Sequence, residues 1–195
     1  MENLNSQKHL DYINHQKEKT TNPVKIKKWL EEEWDIKLNG FKEIFSQYDE
    51  TFNKNGKCVG LGARTGQEIA ALRELGYKDS IGIDLVPFEP YTIEGDFHKL
   101  PFENNSVSLV YSNAVDHVLN PLLWSQEIDR ILNKGGYVLF NLRLADDHDI
   151  YSVFKFNDLQ SDLIDKYFSN YKVIVNKPIK ENFAAMDWEV LLYNE

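Results

Sequence analysis

The pattern of apolar and polar positions changes character partway along the chain. The first twenty or so residues are polar and weakly patterned, which predicts a mobile or loosely attached helix. From Pro23, suited to the first turn of a helix, Ile26, Trp29, Leu30 and Trp34 keep a rough helical spacing. Phe41, Ile44, Phe45 and Tyr48 predict another helix, and the polar turn Asn53–Gly56 closes this region. Beyond it, short apolar runs alternate with helical spacing. Strands are predicted over Cys58–Leu61, Ser80–Leu85, Tyr91–Glu94, Val107–Ser112 and Tyr137–Leu142. Helices are predicted over Thr65–Leu75, Leu122–Leu132 and Asp158–Phe168, with Gly76 where helices commonly stop and a turn at Asn133–Gly136. Tyr171–Val175 and Trp188–Tyr193 read as two closing strands joined by a loop.

Strands alternating with helices predict an α/β fold. The expected form is a doubly wound, mainly parallel seven-stranded sheet with one antiparallel edge strand and N-terminal helices. One crossover is too short for a helix: eight residues separate Asp84 from Ile93, and two of them, Pro87 and Pro90, are prolines. An extended or single-turn connection is expected there. The chain reads as one domain, with residues 1–55 an N-terminal helical segment able to act as a lid and residues 56–195 the core.

Composition narrows the partners. The 195 residues can bury a substantial core, and a net charge of −9 with no long basic run argues against nucleic acid. The lysines between Lys17 and Lys28 read as a solvated helix face. Cys58 is the only cysteine, so an intrachain disulfide or a cysteine-built zinc site is ruled out; it reads as a small buried hydrophobe. The N-terminal residues lack the apolar run of a signal peptide, and no segment has the length to span a bilayer. A cytoplasmic location is the expectation. Oligomeric state has no signal in the sequence.

Candidate chemistry gathers at Lys57–Gly66, KCVGLGARTG, with Asp84 following in SIGIDL. A strand ending in a glycine-rich turn, then a helix, then a strand ending on a carboxylate builds a nucleotide-type site. Gly60, Gly62 and Gly66 are spaced Gly-x-Gly-x-x-x-Gly, one residue longer than the dinucleotide pattern, which disfavours a nicotinamide-type oxidoreductase. Further on stand GDFHKLPF, VSLVYSN and LNKGGYVLF. Taken in order with GLGARTG and GIDL, and with two finishing strands, these segments resemble the class I S-adenosylmethionine-dependent methyltransferases over roughly Lys57–Glu195.

The resemblance implies S-adenosylmethionine as cofactor, S-adenosylhomocysteine as product, and an enzyme of the general methyltransferase class (EC 2.1.1). It also implies residue roles. Gly62 and Gly66, with Gly60, Ala63 and Arg64 of the same turn, would lie against the methionine part of the cofactor. Asp84 would accept from the ribose and Leu85 would pack on the adenine. Asp96 would accept from the adenine amino group, the Phe97 N–H would donate to a ring nitrogen, and His98 would lie on the same side. Asn113 would close the site around the sulfur. Two positions depart from the family: Gly60 stands where an acid is usual, and Arg64 where a glycine is usual. The first removes an expected partner of the methionine ammonium. The second places a side chain at a position suited to positive φ. Its guanidinium either binds a carboxylate or pairs on the surface with Glu68, four residues on.

Methyl transfer from a sulfonium rests mainly on proximity and alignment, and a base is needed only if the acceptor must lose a proton. Asp116 and His117 are the candidate acid/base residues; the alternative is a helix cap and a wall residue. No metal constellation stands out, the histidines being dispersed; Asp146-Asp147-His148-Asp149 reads as a solvated acidic loop. The acceptor must be recognised outside the common core, by the N-terminal region, the loop after the fourth strand, Leu144–Phe156 and Pro178–Asp187, whose aromatics include Tyr12, Trp29, Tyr151, Phe156 and Phe183. Tyr12, Gln16 and Lys19 fall on one helical side, as a lid would need. The expected acceptor is a small polar molecule such as a sugar or other metabolite. A cofactor-binding regulatory protein without transfer activity is the alternative, ahead of an oxidoreductase.

Overall fold

The structure, a computed structural model, describes residues 4, 6–144, 150–151, 154, 160–179 and 186–195. The acidic run at 146–149, together with Phe156 and Phe183, lies outside the described residues. Helix α1 (Gln7–Thr20) is followed by the short α2 (Pro23–Lys27), a π-helical turn (Lys28–Glu32) and α3 (Trp34–Ser46). The core then alternates through β1 (Cys58–Leu61), α4 (Gln67–Glu74), β2 (Ser80–Asp84), β3 (Thr92–Glu94), β4 (Val107–Ser112), α5 (Pro121–Ile131) and β5 (Leu132–Leu142). A π-helical segment (Gln160–Asp165) precedes β6 (Lys172–Pro178) and β7 (Trp188–Tyr193). No helix among the described residues is long and apolar enough to cross a membrane.

The sheet order is β3-β2-β1-β4-β5-β7-β6, parallel from β3 to β5. Strand β7 runs antiparallel between β5 and β6, since the two closing strands have no helix between them. Successive strand residues point to opposite faces, and the burial divides accordingly. Val59, Leu61, Val110, Val138, Phe140, Val190 and Leu192 face α5, where Trp124 is fully buried against Phe140 and Phe168. Cys58, Leu109, Tyr111, Leu139 and Leu191 face the other way, onto Phe41, Phe45, Ile69 and Leu72 of α3 and α4. Gly60 falls on this second face, and a Cβ there would come within 2.9 Å of Ile69 Cδ1. Its missing side chain is what lets α4 sit close to β1.

Most boundaries follow the sequence pattern, with instructive exceptions. The connection from β2 to β3 holds no helix, as its prolines predict. Strand β5 begins directly at Leu132 and includes the stretch expected as a turn; Gly135 at φ 78° absorbs the irregularity, with a register shift against β4. The N-terminal helix is also not loosely attached. His9 and Tyr12 are buried, and Lys17 bonds Glu94 at 3.0 Å beside β3.

Candidate active site

In an open parallel sheet the strand order reverses where the first strand has neighbours leading opposite ways, and ligands bind outside the carboxyl ends there. Here that point lies between β1 and β4. A cavity of about 270 Å³ opens at it, lined from the ends of β1 (Gly62, Ala63, Arg64), β2 (Asp84, Leu85), β3 (Gly95, Asp96, Phe97), β4 (Asn113, Ala114, Asp116, His117) and β5 (Arg143). The N-terminal helices roof it with Tyr12, Gln16, Lys19, Thr20, Lys25 and Trp29. The structure brings together most of the predicted site residues. Gly60 and Gly66 lie just below the wall as supports, and His98 sits behind Asp96.

The glycine turn is fixed by its backbone. The Gly62 and Ala63 N–H groups both donate to the Ile83 carbonyl, at 2.9 and 3.1 Å. Gly62 has φ 72°, and a Cβ on it would meet Ala114 Cβ at 2.6 Å. Gly66, at φ 82°, begins α4 where any Cβ would collide with Tyr91. Between them Arg64 adopts φ 46°, the left-handed conformation that favours glycine. It is held from both ends. Its N–H donates to Asp84 Oδ2 at 2.8 Å, and its guanidinium stacks 4.3 Å over the Trp29 ring. Gln67 anchors that tryptophan by donating to the Trp29 carbonyl at 3.0 Å. Neither sequence reading of the arginine anticipated an aromatic partner from the N-terminal segment.

The carboxylates differ in how they are held. Asp84 accepts from the N–H groups of Arg64 and Val86, one on each oxygen, leaving lone pairs toward the cavity. Burial pushes its carboxyl above the ordinary aspartate value, against those hydrogen bonds. Asp96 is more fully engaged. His98 gives it both a backbone N–H (2.9 Å) and Nδ1 (2.8 Å), while His9 reaches from α1 to its other oxygen at 2.8 Å. The Asn120 N–H points at His98 Nε2, which assigns the proton of that ring to Nδ1. Burial pushes Asp96 up, but the hydrogen bonds from His98 and the nearby His9 outweigh it and hold it below the ordinary value. Histidines far apart in sequence thus meet on one acid. His9, Asp96 and His98 have metal-ligand spacing, yet the Asn120 N–H already occupies the His98 lone pair.

Asp116 and His117 come from a 3₁₀ turn (Val115–His117) after β4, and both line the cavity. His117 Nε2 is 3.8 Å from Asp116 Oδ2, too long for a hydrogen bond between them. Among the described residues, Gln16 Nε2 is buried without a hydrogen-bond partner, in a side chain that lines the cavity. Glu68 also lines it, 4% exposed, with its carboxyl pushed up to about 8 by burial. Glu68 was legible only as a partner for Arg64. Its signal was phase: it stands four residues before Leu72, on the apolar side of α4.

These residues fit an adenosine-bearing ligand: a spare-lone-pair carboxylate at a strand end, a turn that a Cβ would fill, and an orphan amide donor. The comparisons agree. The family described as "Methyltransferase domain" matches residues 59–140. The malonyl-[acyl-carrier protein] O-methyltransferase of Marinomonas sp. (strain MWYL1) is 32% identical over 104 residues, covering 46% of this chain and 38% of that protein's length. Two solved structures share the fold. A SAM-dependent methyltransferase from Aquifex aeolicus has a TM-score of 0.62 at 14% identity, over 88% of this chain and 97% of that one. The Burkholderia thailandensis 1,6-didemethyltoxoflavin-N1-methyltransferase, solved with 1,6-didemethyltoxoflavin and S-adenosylhomocysteine, has a TM-score of 0.68 at 12% identity, over 100% of this chain and 92% of that one. The match to the methyltransferase domain covers residues 59–140, and over most of the chain the fold is similar to that of S-adenosylmethionine-dependent methyltransferases of known structure.

Proposed function

We propose that this chain moves a methyl group from S-adenosylmethionine to a small polar acceptor held in the cavity. The observation that carries this is the convergence of Gly62, Asp84, Asp96 and Asn113 on one cavity at the strand-order reversal. Asp84 is assigned to the ribose hydroxyls, with Leu85 and Phe97 on the adenine and Asp96 on its amino group. Gly62, Ala63 and Arg64 take the methionine end, supported from below by Gly60 and Gly66, while Asn113 lies near the sulfur. His98 serves the adenine side by holding Asp96 in place.

When bound, the cofactor supplies an electrophilic methyl carbon on a sulfonium. The protein's part is to align an acceptor atom with it and exclude water, and alignment supplies much of the rate. Where the acceptor is an alcohol or amine, its proton passes to Asp116 or His117; a carboxylate acceptor needs no base. Residues 1–55 are assigned as a lid, supported by Tyr12, Gln16 and Lys19 in the cavity roof. The lining also carries Lys19, Lys25, Lys37 and Arg143, which favours an acceptor with an anionic group. Carboxylic acids therefore head the acceptor set; the Marinomonas relative is named for a malonyl group, there carried on an acyl-carrier protein. A reducing, cytoplasmic setting accords with the single buried thiol of Cys58.

Purified protein incubated with methyl-labelled S-adenosylmethionine and a panel of small carboxylic acids, sugar acids and amines tests this. Transfer of label to one class is expected. Tight cofactor binding with no transfer across the panel turns the reading to a cofactor-binding regulatory protein. With an acceptor in hand, His117→Asn is expected to slow turnover of a protonated acceptor; unchanged turnover removes His117 from the chemistry.

A further inference from the structure

Among the described residues, Glu68 is the most deeply buried acid of the cavity wall, and no other side chain hydrogen-bonds to its carboxyl. It is 4% exposed and stands in a helix stretch buried from Gln67 to Leu72. Among the described residues its carboxyl takes a hydrogen bond from its own backbone N–H and none from another side chain. Lys37 and Arg64 are the nearby cations. Lys37 is paired with Glu33 at 2.7 Å, and Arg64 is stacked on Trp29. Burying a carboxyl without a partner is costly, and a cavity on one side of it supplies the place for a missing cation.

Its position gives that cation an identity. A Cβ built on Gly60 would lie 3.7 Å from Glu68 Cγ and 2.9 Å from Ile69 Cδ1. The side chain of Glu68 therefore lies in ordinary contact distance of position 60, beside the glycine turn, while Ile69 fills the space a Cβ there would need. This chain has no side chain on the strand and a carboxyl reaching in from α4. The turn above it is the methionine end in the reading of the site given above, on which this inference rests. At that end the cofactor carries a carboxylate and two cations, the sulfonium and the α-ammonium, and of these only the ammonium has N–H groups to donate to a buried carboxyl. We propose that Glu68 binds the α-ammonium group of the cofactor, supplying from helix α4 the negative charge that position 60 lacks.

The assignment separates from the general cofactor reading by choice of ligand. S-adenosylhomocysteine carries the ammonium; its deamino analogue keeps the adenosine, the sulfur and the carboxylate but has no ammonium. Calorimetry on the full chain should show S-adenosylhomocysteine binding about tenfold or more tightly than the deamino analogue, as a charge-assisted hydrogen bond implies. Glu68→Gln, of the same shape, should erase that preference by weakening S-adenosylhomocysteine alone, leaving the analogue within about twofold. Equal affinity of the wild-type chain for the two ligands overturns the assignment without any variant, so the test survives if Glu68→Gln does not fold. Equal weakening of both ligands by Glu68→Gln overturns it too, since that pattern marks a structural role. If the wild-type chain binds neither ligand, the cofactor reading itself falls, and Glu68 with it.

Discussion

At one side of the cavity, Asp84 and Asp96 are each held by donors the protein supplies: two backbone N–H groups for the first, His9 and His98 for the second. At the other side Glu68 has only its own N–H and a buried setting that raises its carboxyl to about 8. The difference separates preorganised acids from one that waits for its partner. Acids already held by donors keep their orientation when the cavity is empty and spend little on ordering when a ligand arrives. A buried acid without a counter-charge stays neutral until a cation comes, so its cost falls on the empty protein and is relieved on binding.

The contrast breaks or sharpens most visibly in the pH dependence of stability. The groups that act on Glu68 are Arg64 and Lys37, which lower its carboxyl, and Asp84, which raises it alongside burial. Because its folded value is about 8 against an unfolded value of 4.5, the native chain keeps a proton that the unfolded chain has released. Stability from this group is therefore unaffected below about pH 4.5, is lost as pH rises through the interval, and is lowest above 8. The loss is on the order of 3–5 kcal/mol. Denaturant melts at pH 5 and pH 8 should show it, and Glu68→Gln should flatten the difference and be the more stable protein at pH 8. A wild-type chain equally stable at both would remove the contrast.

Asp84→Ala comes next. It leaves the Arg64 and Val86 N–H groups without an acceptor and removes the proposed ribose partner, and it should weaken S-adenosylhomocysteine by about 100-fold in calorimetry. His9→Ala should cost about 1–2 kcal/mol by unpinning α1 from Asp96, seen as faster amide exchange in residues 7–20. Arg64→Gly should matter least, about 1 kcal/mol or less in thermal stability. Relief of the left-handed backbone offsets the lost stacking on Trp29.

Legibility followed locality. The strand-turn-helix at Cys58–Glu74, the positive φ at Arg64 and the strand-ending Asp84 are local backbone requirements, and the sequence displays them. So is the helix-free link through Pro87 and Pro90. What it hid depends on distant pieces of chain. His9 reaches Asp96 across 87 residues, and Gln67 fixes Trp29 across 38. The docking of α1 follows from such contacts, since its own composition is mostly polar and gives a weak helical stripe. Glu68 was hidden for a related reason: a charged residue near the start of a helix reads as solvated until the neighbouring strand and α3 are seen to bury it.

The account rests on one cavity holding the methyl donor, and calorimetric titration of the purified chain with S-adenosylhomocysteine tests that most directly. Saturable binding at one site per chain, displaced by S-adenosylmethionine, is the result predicted. No binding heat at millimolar ligand, from protein that melts cooperatively, would contradict it.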